Sequence, residues 1–179
     1  MLITMSDIIQ LSPTDLPYIN RRELGHHHSL YNHIAKMFPL TYILDIGTRN
    51  GVSAWALTHN TNCLCQSVDI KVWKHRMNSP HVEYVNMDCN DIQSSTLAMA
   101  TIILFDTTHN GVDEQIFYDR LVKMRWDGLL LLDDIHLMKY GDMESFWQSI
   151  KLPKYDLTQW GHKTGTGLVD FEMEVELVR

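Results

Sequence analysis

Short apolar runs separated by polar turns recur along the chain and alternate with segments of helical periodicity. The runs begin at Tyr42, Leu64, His81, Thr101 and Leu129. Several are apolar at nearly every position, which is typical of strands buried on both faces of a parallel sheet. Strands that alternate with amphipathic helices predict an α/β protein.

The pattern also places the flanking elements. Residues 1–20 predict a short arm or helix, and Ser29 is the expected N-cap of a helix over 30–37. Helices are predicted to begin at Val52 and over 112–123 and 142–150. The chain should end in two strands, 155–159 and 167–172, around a turn at 160–166.

Length and composition limit the classes of protein. We expect 179 residues to form one domain, with an N-terminal part at 1–40, a cofactor half at 41–98 and a catalytic half at 99–179. A net charge of −7 argues against nucleic acid or an anionic membrane as partner. No bilayer-spanning run or signal peptide is evident, and the three cysteines indicate reduced thiols in a cytoplasmic protein.

The stretch from 42 to 55 carries the clearest candidate chemistry. A buried strand leads into a turn bracketed by Gly47 and Gly51, and a helix begins directly after it. Glycines in such a turn allow a ligand to approach the backbone closely. Asp45 lies at the end of the strand, and Arg49 stands where a dinucleotide site has its central glycine. A carboxylate there suits a ligand with a positive amino group better than a pyrophosphate.

Acidic residues follow the predicted strands at one phase. Asp45, Asp69, Asp88 and Asp106 each come at or just after a strand end, and parallel strands bring such ends to one edge of the sheet. Asp69 lies about 20 residues past the glycine turn, where a carboxylate accepts ribose hydroxyls. A solvated strand end is the alternative for Asp69, and helix capping is the alternative near Asp88.

A second group of acids should converge at neighbouring strand ends. Asp106 ends one buried run, and Asp133 and Asp134 end the next. Three carboxylates in one place repel each other, and a divalent cation relieves the repulsion. Oxygen ligands favour Mg²⁺, Ca²⁺ or Mn²⁺.

The glycine turn resembles motif I of the class I S-adenosylmethionine-dependent methyltransferases, in the form Asp-x-Gly-Thr-x-x-Gly-x-Ser. The resemblance implies a Rossmann-like, mostly parallel sheet of seven strands in the order 3-2-1-4-5-7-6, with an antiparallel edge strand. It implies S-adenosylmethionine as cofactor, with Asp88 near the adenine. The implied cofactor residues are Asp45, Gly47, Thr48, Arg49, Gly51, Ser53, Asp69, Asp88 and Asp106.

Asp106-Thr107-Thr108-His109, with Asp133 and Asp134 after the next strand, resembles the small metal-dependent O-methyltransferases of the sugar-modifying and cephalosporin hydroxylase-like groups. The resemblance covers about 41–171. It implies Mg²⁺ or Mn²⁺ on Asp106, Asp133 and Asp134, with His109 as the general base. Thr107 replaces the family's frequent glycine, and Trp126-Asp127-Gly128 replaces its Pro-Gly-Gly.

The predicted reaction is O-methylation of a hydroxyl group on a sugar or small metabolite. Two alternatives stay open: a metal-independent methyltransferase that uses His109 alone, and a non-catalytic subunit that binds S-adenosylmethionine. His26–His28 form a polar loop before a helix, or one of them lines a substrate pocket. His136 is expected to be a loop residue or a neighbour of the site, and a homodimer is compatible with the apolar residues near both ends.

Overall fold

A computed structural model describes residues 2–11, 26–74, 76–137, 139, 142–172 and 174–178. The strands are β1 (Leu2–Thr4), β2 (Tyr42–Ile46), β3 (Leu64–Asp69), β4 (Val82–Asn86), β5 (Ile102–Phe105), β6 (Leu129–Asp133), β7 (Lys154–Asp156), β8 (Thr166–Asp170) and β9 (Glu176–Val178). The helices are α1 (His26–Lys36), α2 (Val52–Thr58), α3 (Ser94–Met99), α4 (Val112–Met124) and α5 (Met143–Ser149), with short 3-10 turns at Met5–Asp7 and Cys89–Asp91.

Seven strands form the main sheet in the order β4-β3-β2-β5-β6-β8-β7. Numbered from β2 along the chain, this is 3-2-1-4-5-7-6, so the predicted order is confirmed. The pairs from β4 to β6 are parallel, and β8 runs antiparallel to both β6 and β7. The antiparallel pairing expected at the edge is therefore made by β8, with β7 outermost.

The central strands bury side chains on both faces, as their uninterrupted apolar runs predict. Ile103 and Phe105 of β5 pack with α4 and α5 in one core. Ile102 and Leu104, on the opposite face, pack with α1 and α2 in the other. Every residue of β5 is apolar and buried, so the polar side chains next to this strand begin only after its last residue, Phe105.

The N-terminal prediction was partly wrong. Helix α1 begins at His26, so Ser29 lies inside it and is no N-cap, and the three histidines form its first turn instead of a loop. The Ser29 hydroxyl accepts a hydrogen bond from the backbone N–H of Leu11 at 2.9 Å. Of the predicted arm, 12–20 lie outside the described residues.

Two further features differ from the sequence pattern. β1 pairs in parallel with β9 in a separate two-stranded sheet. The sequence did not predict this sheet, because its strands are only three residues long. Helix α4 has the predicted bounds almost to the residue, and the apolar Phe117 is buried as expected, but the apolar Val112 and Ile116 are exposed and the acidic Glu114 is buried. Within the described residues, no helix combines the length and apolarity needed to cross a bilayer.

Candidate active site

An open cavity of about 870 Å³ lies beyond the carboxyl ends of the parallel strands. Its wall is made by the segments that follow β2, β3, β4, β5 and β6, by the first turns of α1 and by His162. Ligands of open α/β sheets bind at this edge, because the strand order reverses there and leaves a crevice. The cavity therefore lies at the carboxyl edge of the parallel sheet, where the sequence pattern predicted the site.

The turn after β2 depends on a glycine. Gly47 has φ +93°, and its N–H donates to the carbonyl of Val68 at 2.8 Å. A Cβ atom on Gly47 would lie 1.6 Å from the carbonyl oxygen of Asp106. The turn therefore packs directly against the backbone at the end of β5, which brings the predicted cofactor loop and the predicted catalytic loop together.

Beneath this turn lies a buried polar group that the protein leaves partly unpaired. Asp45 is fully buried, and its Oδ2 accepts a hydrogen bond from Ser67 at 3.2 Å. Burial raises the pKa of Asp45 to about 6, against the opposing effect of the hydrogen bond from Ser67. Among the described residues, Asp45 Oδ1 and Thr48 Oγ1 find no hydrogen-bond partner. Buried oxygens without partners are uncommon and point to a missing donor.

The predicted cofactor residues divide into two sets. Thr48 and Ser53 line the cavity, as do Gly47, Arg49, Asp69, Asp88 and Asp106. Asp45 and Gly51 lie outside its lining residues. Gly51 has φ +80°, and an added Cβ there would meet the phenol oxygen of Tyr84 at 2.2 Å. Gly51 therefore shapes the start of α2 from behind the wall.

Asp69 organises one side of the cavity. Its carboxylate accepts hydrogen bonds from the N–H of Arg49 at 3.0 Å, the N–H of Lys71 at 2.8 Å and the indole of Trp73 at 2.9 Å. A carboxylate offers about four acceptor positions, so one stays available for a hydroxyl group. The solvated strand end considered for Asp69 does not describe this buried and well-anchored group.

Asp88 lies on the next segment of the wall. Its Oδ1 accepts from the backbone and side-chain nitrogens of Asn90 at 2.9 and 3.0 Å, so it caps the 3-10 turn that follows β4. Arg120 of α4 supports this turn from behind by donating to the carbonyls of Cys89, Asn90 and Ile92. The capping role and the cavity-lining position thus coexist in Asp88.

The opposite end of the cavity holds acids and imidazoles. His109 Nε2 lies 3.1 Å from Asp106 Oδ1 and 3.6 Å from Asp134 Oδ2. Burial disfavours the imidazolium, but the hydrogen bond and charge of Asp106, with the charge of Asp134, leave the pKa of His109 raised. Two carboxylates therefore stabilise a proton that His109 accepts on Nε2.

Asp133 and Asp134 complete this end together with a residue that the sequence did not single out. His162 Nδ1 lies 2.8 Å from Asp134 Oδ1 and 3.7 Å from Asp133 Oδ1. Burial and the neighbouring carboxylates raise the pKa of Asp133. Burial acts in the same sense on Asp134, but hydrogen bonds from His162 and Thr164 hold its pKa below the ordinary value.

The aromatic wall above Asp133 comes from α1. The Tyr31 hydroxyl donates to Asp133 Oδ1 at 3.3 Å, across 102 positions of sequence. His27 and His28 also line the cavity, and the His27 ring lies 4.8 Å from the ring of His162. Burial and the adjacent imidazoles lower the pKa of His27 to about 3, so this ring is neutral. The pocket-lining alternative for the histidine run therefore describes His27 and His28.

His26 and His136, the other two histidines considered from the sequence, lie outside the cavity lining. His26 is exposed and pairs with Gln10 at 3.0 Å. His136 lies between Glu144 at 2.6 Å and Asp156 at 2.8 Å, outside the cavity lining. Of the two alternatives for His136, a loop residue or a neighbour of the site, this position outside the lining fits the loop residue.

Glu114 fixes the loop that carries His109, and sequence reasoning missed it. This carboxylate is buried, although it belongs to the polar pattern of α4. It accepts from the N–H of His109 at 2.9 Å, the N–H of Gly111 at 2.8 Å and the hydroxyl of Thr107 at 3.3 Å. A glutamate three residues after an N-cap is a known capping signal, so the sequence offered a clue.

Glu114→Gln should loosen this loop. The amide keeps one acceptor oxygen and turns an NH₂ toward an existing N–H donor, so we expect the free energy of unfolding to fall by about 1–3 kcal/mol. Urea denaturation measures this loss, and faster amide exchange at 109 and 111 would localise it. The matched control is Asp113→Asn, whose carboxylate meets only the side chains of Thr108 and Asn110 and should cost less. Equal losses in the two variants would contradict the assignment.

Three residues of the wall adopt the left-handed backbone conformation without being glycine. Arg49 has φ +48°, His109 +55° and Asp134 +57°. Such conformations are uncommon for residues with a Cβ and are typically held in place by surrounding structure at functional sites. Each of the three follows a different strand, and each turns a side chain into the same cavity.

Comparisons with known proteins establish the fold. No protein-family model matches the chain, and no curated protein matches it. The SAH-bound methyltransferase PaMTH1 of Podospora anserina is similar in structure, with a TM-score of 0.58 and 13% identity over 89% of this chain and 82% of that one.

Two further solved structures are similar. The O-methyltransferase TomG of Streptomyces achromogenes, involved in tomaymycin synthesis and solved with SAM, has a TM-score of 0.56 and 16% identity over 88% of this chain and 84% of that one. Cofactor-bound Rv0187 from MTB has a TM-score of 0.55 and 12% identity over 93% and 84%. The chain therefore has the Rossmann-like fold of these methyltransferases, as the motif and strand pattern implied.

Proposed function

We propose that this protein is a methyltransferase that uses S-adenosylmethionine and methylates a hydroxyl oxygen of a small acceptor, with a divalent cation at the acidic end of the cavity. The observation that carries the proposal is that His109, Asp106, Asp133 and Asp134 line the same cavity as the Gly47 turn. The fold shared with SAM-bound and SAH-bound methyltransferases supports the cofactor. A net charge of −7 favours a sugar or metabolite over a nucleic acid as acceptor.

The cavity residues fit S-adenosylmethionine. Thr48 lines the cavity with an unpaired hydroxyl that suits an ammonium group or its bound water, with the carboxylate of Asp45 buried behind it, and Asp69 keeps an acceptor position for a ribose hydroxyl. Asp88, on the far side, suits the adenine amino group. When bound, the cofactor supplies an electrophilic methyl group on a sulfonium, which leaves without needing a proton.

The acidic end fits a cation. Asp133 and Asp134, whose ligand atoms lie within 4.8 Å of each other, would hold it, and Asp106 would join them as the third predicted ligand, since neighbouring carboxylates need compensating charge. A cation there lowers the pKa of a coordinated hydroxyl. His109 accepts the hydroxyl proton on Nε2, Asp106 and Asp134 stabilise the imidazolium, and Glu114 keeps the ring in position through the loop backbone.

A metal-independent enzyme is the second candidate, and a specific observation favours it. His162 already lies 2.8 Å from Asp134 and 3.7 Å from Asp133, so an imidazolium there supplies part of the compensating charge and leaves His109 free to act as the base. In that case His109 removes the proton without help from a cation. Chelation distinguishes the two, because EDTA would leave the metal-independent reaction unchanged.

Calorimetric titration with S-adenosylmethionine tests the cofactor assignment. We expect micromolar binding, and Thr48→Val should weaken it by about 5- to 15-fold through loss of one hydrogen bond. Thr58→Val is the matched control, because the Thr58 hydroxyl bonds only within its own surroundings on α2 and at Ser79. Absence of binding in the unaltered protein, with and without Mg²⁺ or Mn²⁺, would refute the proposal.

A further inference from the structure

We propose that His162 is a ligand of the cation, so that Asp133, Asp134 and His162 form a mixed oxygen and nitrogen site that selects Mn²⁺ over Mg²⁺. This inference rests on the proposed function, which places a cation at this end of the cavity. It adds a ligand that the motif resemblance does not supply, and it narrows the choice between Mg²⁺ and Mn²⁺ to Mn²⁺.

The three side chains converge from two elements. Asp133 and Asp134 end β6, while His162 lies in the loop before β8, and one ligand atom from each lies within 4.8 Å of the others. A first-row metal ion lies about 2.1 Å from nitrogen and oxygen ligands, so two of its ligands are about 3–4.2 Å apart. His162 Nδ1 meets this requirement with Asp133 Oδ1 at 3.7 Å. With Asp134 Oδ1 at 2.8 Å and with the Thr164 hydroxyl at 2.7 Å it forms hydrogen bonds, which a cation would replace as Nδ1 loses its proton.

The surroundings of Asp133 are an independent sign that a cation belongs here. This carboxylate is only 6% exposed, yet its one hydrogen bond within the described residues is the 3.3 Å contact with Tyr31. A buried carboxylate normally has several donors or a bound metal, because removing its charge from water is costly. Asp69, by comparison, is equally buried and has three donors. Asp133 therefore has fewer donors than Asp69 and keeps acceptor positions that a cation would fill.

The loop holds His162 in place before any ligand arrives. The N–H of His162 donates to the hydroxyl of Thr166 at 2.8 Å, and its carbonyl accepts from the N–H of Gly165 at 2.9 Å. Gly165 has φ +112°, and a Cβ there would lie 2.5 Å from Ile135. A ligand held by its own backbone loses little freedom on binding a metal, which raises affinity and fixes geometry.

The other imidazole of the cluster has a different place. His109 Nε2 lies between Asp106 and Asp134, so it is engaged by the acids through the atom that would take the substrate proton. Asp106 uses Oδ1 for this contact and is not among the three residues whose ligand atoms lie within 4.8 Å of one another. One histidine is then left for proton transfer and the other for coordination.

The nitrogen ligand carries the selectivity. Mg²⁺ prefers oxygen ligands in a near-ideal octahedron, whereas Mn²⁺ and the later first-row ions accept imidazole readily. Divalent ions also bind more tightly in the order from Mn²⁺ to Cu²⁺. We therefore expect Mn²⁺ to bind at least about tenfold more tightly than Mg²⁺, because a single imidazole ligand contributes about that factor to the affinity for Mn²⁺.

Electron paramagnetic resonance of Mn²⁺ tests the assignment without any acceptor. The chelated full-length chain is titrated with MnCl₂, the free-ion signal gives the affinity, and MgCl₂ competition gives the selectivity. Spin-echo modulation from a coordinated ¹⁴N nucleus reports an imidazole ligand directly. In His162→Ala we expect the modulation to disappear and Mn²⁺ affinity to fall at least about tenfold, with a smaller change for Mg²⁺.

His136→Ala is the matched control, because His136 also lies between two carboxylates but outside the cavity lining. It should keep both the modulation and the affinity. His162→Gln replaces His162→Ala if thermal unfolding shows that the alanine variant does not fold.

The results separate this inference from the proposed function. Mn²⁺ binding without ¹⁴N modulation, or equal affinity in His162→Ala, would overturn the role of His162 while leaving a metal-dependent enzyme intact. Failure to bind Mn²⁺ would overturn it too. S-adenosylmethionine binding, measured by calorimetry on the same samples, decides separately whether the cofactor half of the proposed function stands.

Discussion

Gly47→Ala is expected to abolish binding of S-adenosylmethionine and to lower the free energy of unfolding by about 2–4 kcal/mol. The alanine would have to adopt φ +93°, and its Cβ would lie 1.6 Å from the carbonyl oxygen of Asp106. A backbone carbonyl at the end of a buried strand has no rotamer to change, so the turn and β5 must move apart. This separation would disrupt the cofactor loop and the His109 loop together.

Gly51→Ala is the matched control for this variant. It also has positive φ, but the added Cβ would meet the phenol end of Tyr84, a side chain that can rotate away. We expect a loss of about 1–2 kcal/mol and weakened rather than abolished cofactor binding. Urea denaturation and calorimetry measure the two quantities. If Gly47→Ala proved no more harmful than Gly51→Ala, the close packing of the turn on β5 would be wrong.

His109→Asn should reduce turnover by about 100- to 10,000-fold, the usual contribution of a positioned general base. Asparagine tolerates the left-handed conformation found at this position, so the loop should keep its shape. Affinity for S-adenosylmethionine should stay within about threefold, because the lost group acts on the acceptor proton and not on cofactor binding. Release of S-adenosylhomocysteine over a panel of sugars and hydroxylated metabolites supplies the assay.

A histidine on the surface provides the comparison for turnover. His81 is exposed in the turn before β4 and lies outside the cavity lining, so His81→Asn should leave turnover unchanged. Full activity of His109→Asn with the best acceptor would remove His109 from the chemistry. Loss of cofactor binding in that variant would instead show that it acts through the shape of the loop.

The fold could be predicted from the sequence because the patterns that indicate it are local and recur along the chain. Each run of apolar residues that ends in an acid identifies a central strand, and the glycines of the 47–51 turn locate the crevice. β1 and β9 gave no such signal, since three residues are too few for a period to emerge. On α4, the apolar residues Val112 and Ile116 were candidates for burial. In the structure they are exposed, and Glu114 and Tyr118 are buried instead.

Only some residues of the acidic end of the cavity could be predicted from the sequence. Asp106, Asp133 and Asp134 lie at strand ends, so their convergence follows from the sheet. His162 and Tyr31 reach the same place from a loop and from the first helix, at 28 and 102 positions from their partners. Nothing in their local sequence encodes those contacts, which depend on how the chain returns to the sheet.

The left-handed residues Arg49, His109 and Asp134 have a consequence for engineering. Each holds a conformation that glycine or asparagine adopts at lower cost, so substitution at these positions removes strain of about 1 kcal/mol per residue. A search for variants that resist heat, made without an assay for methyl transfer, would favour these three positions early. The most stable descendants of this chain would then keep its sheet and lose the side chains that face its cavity.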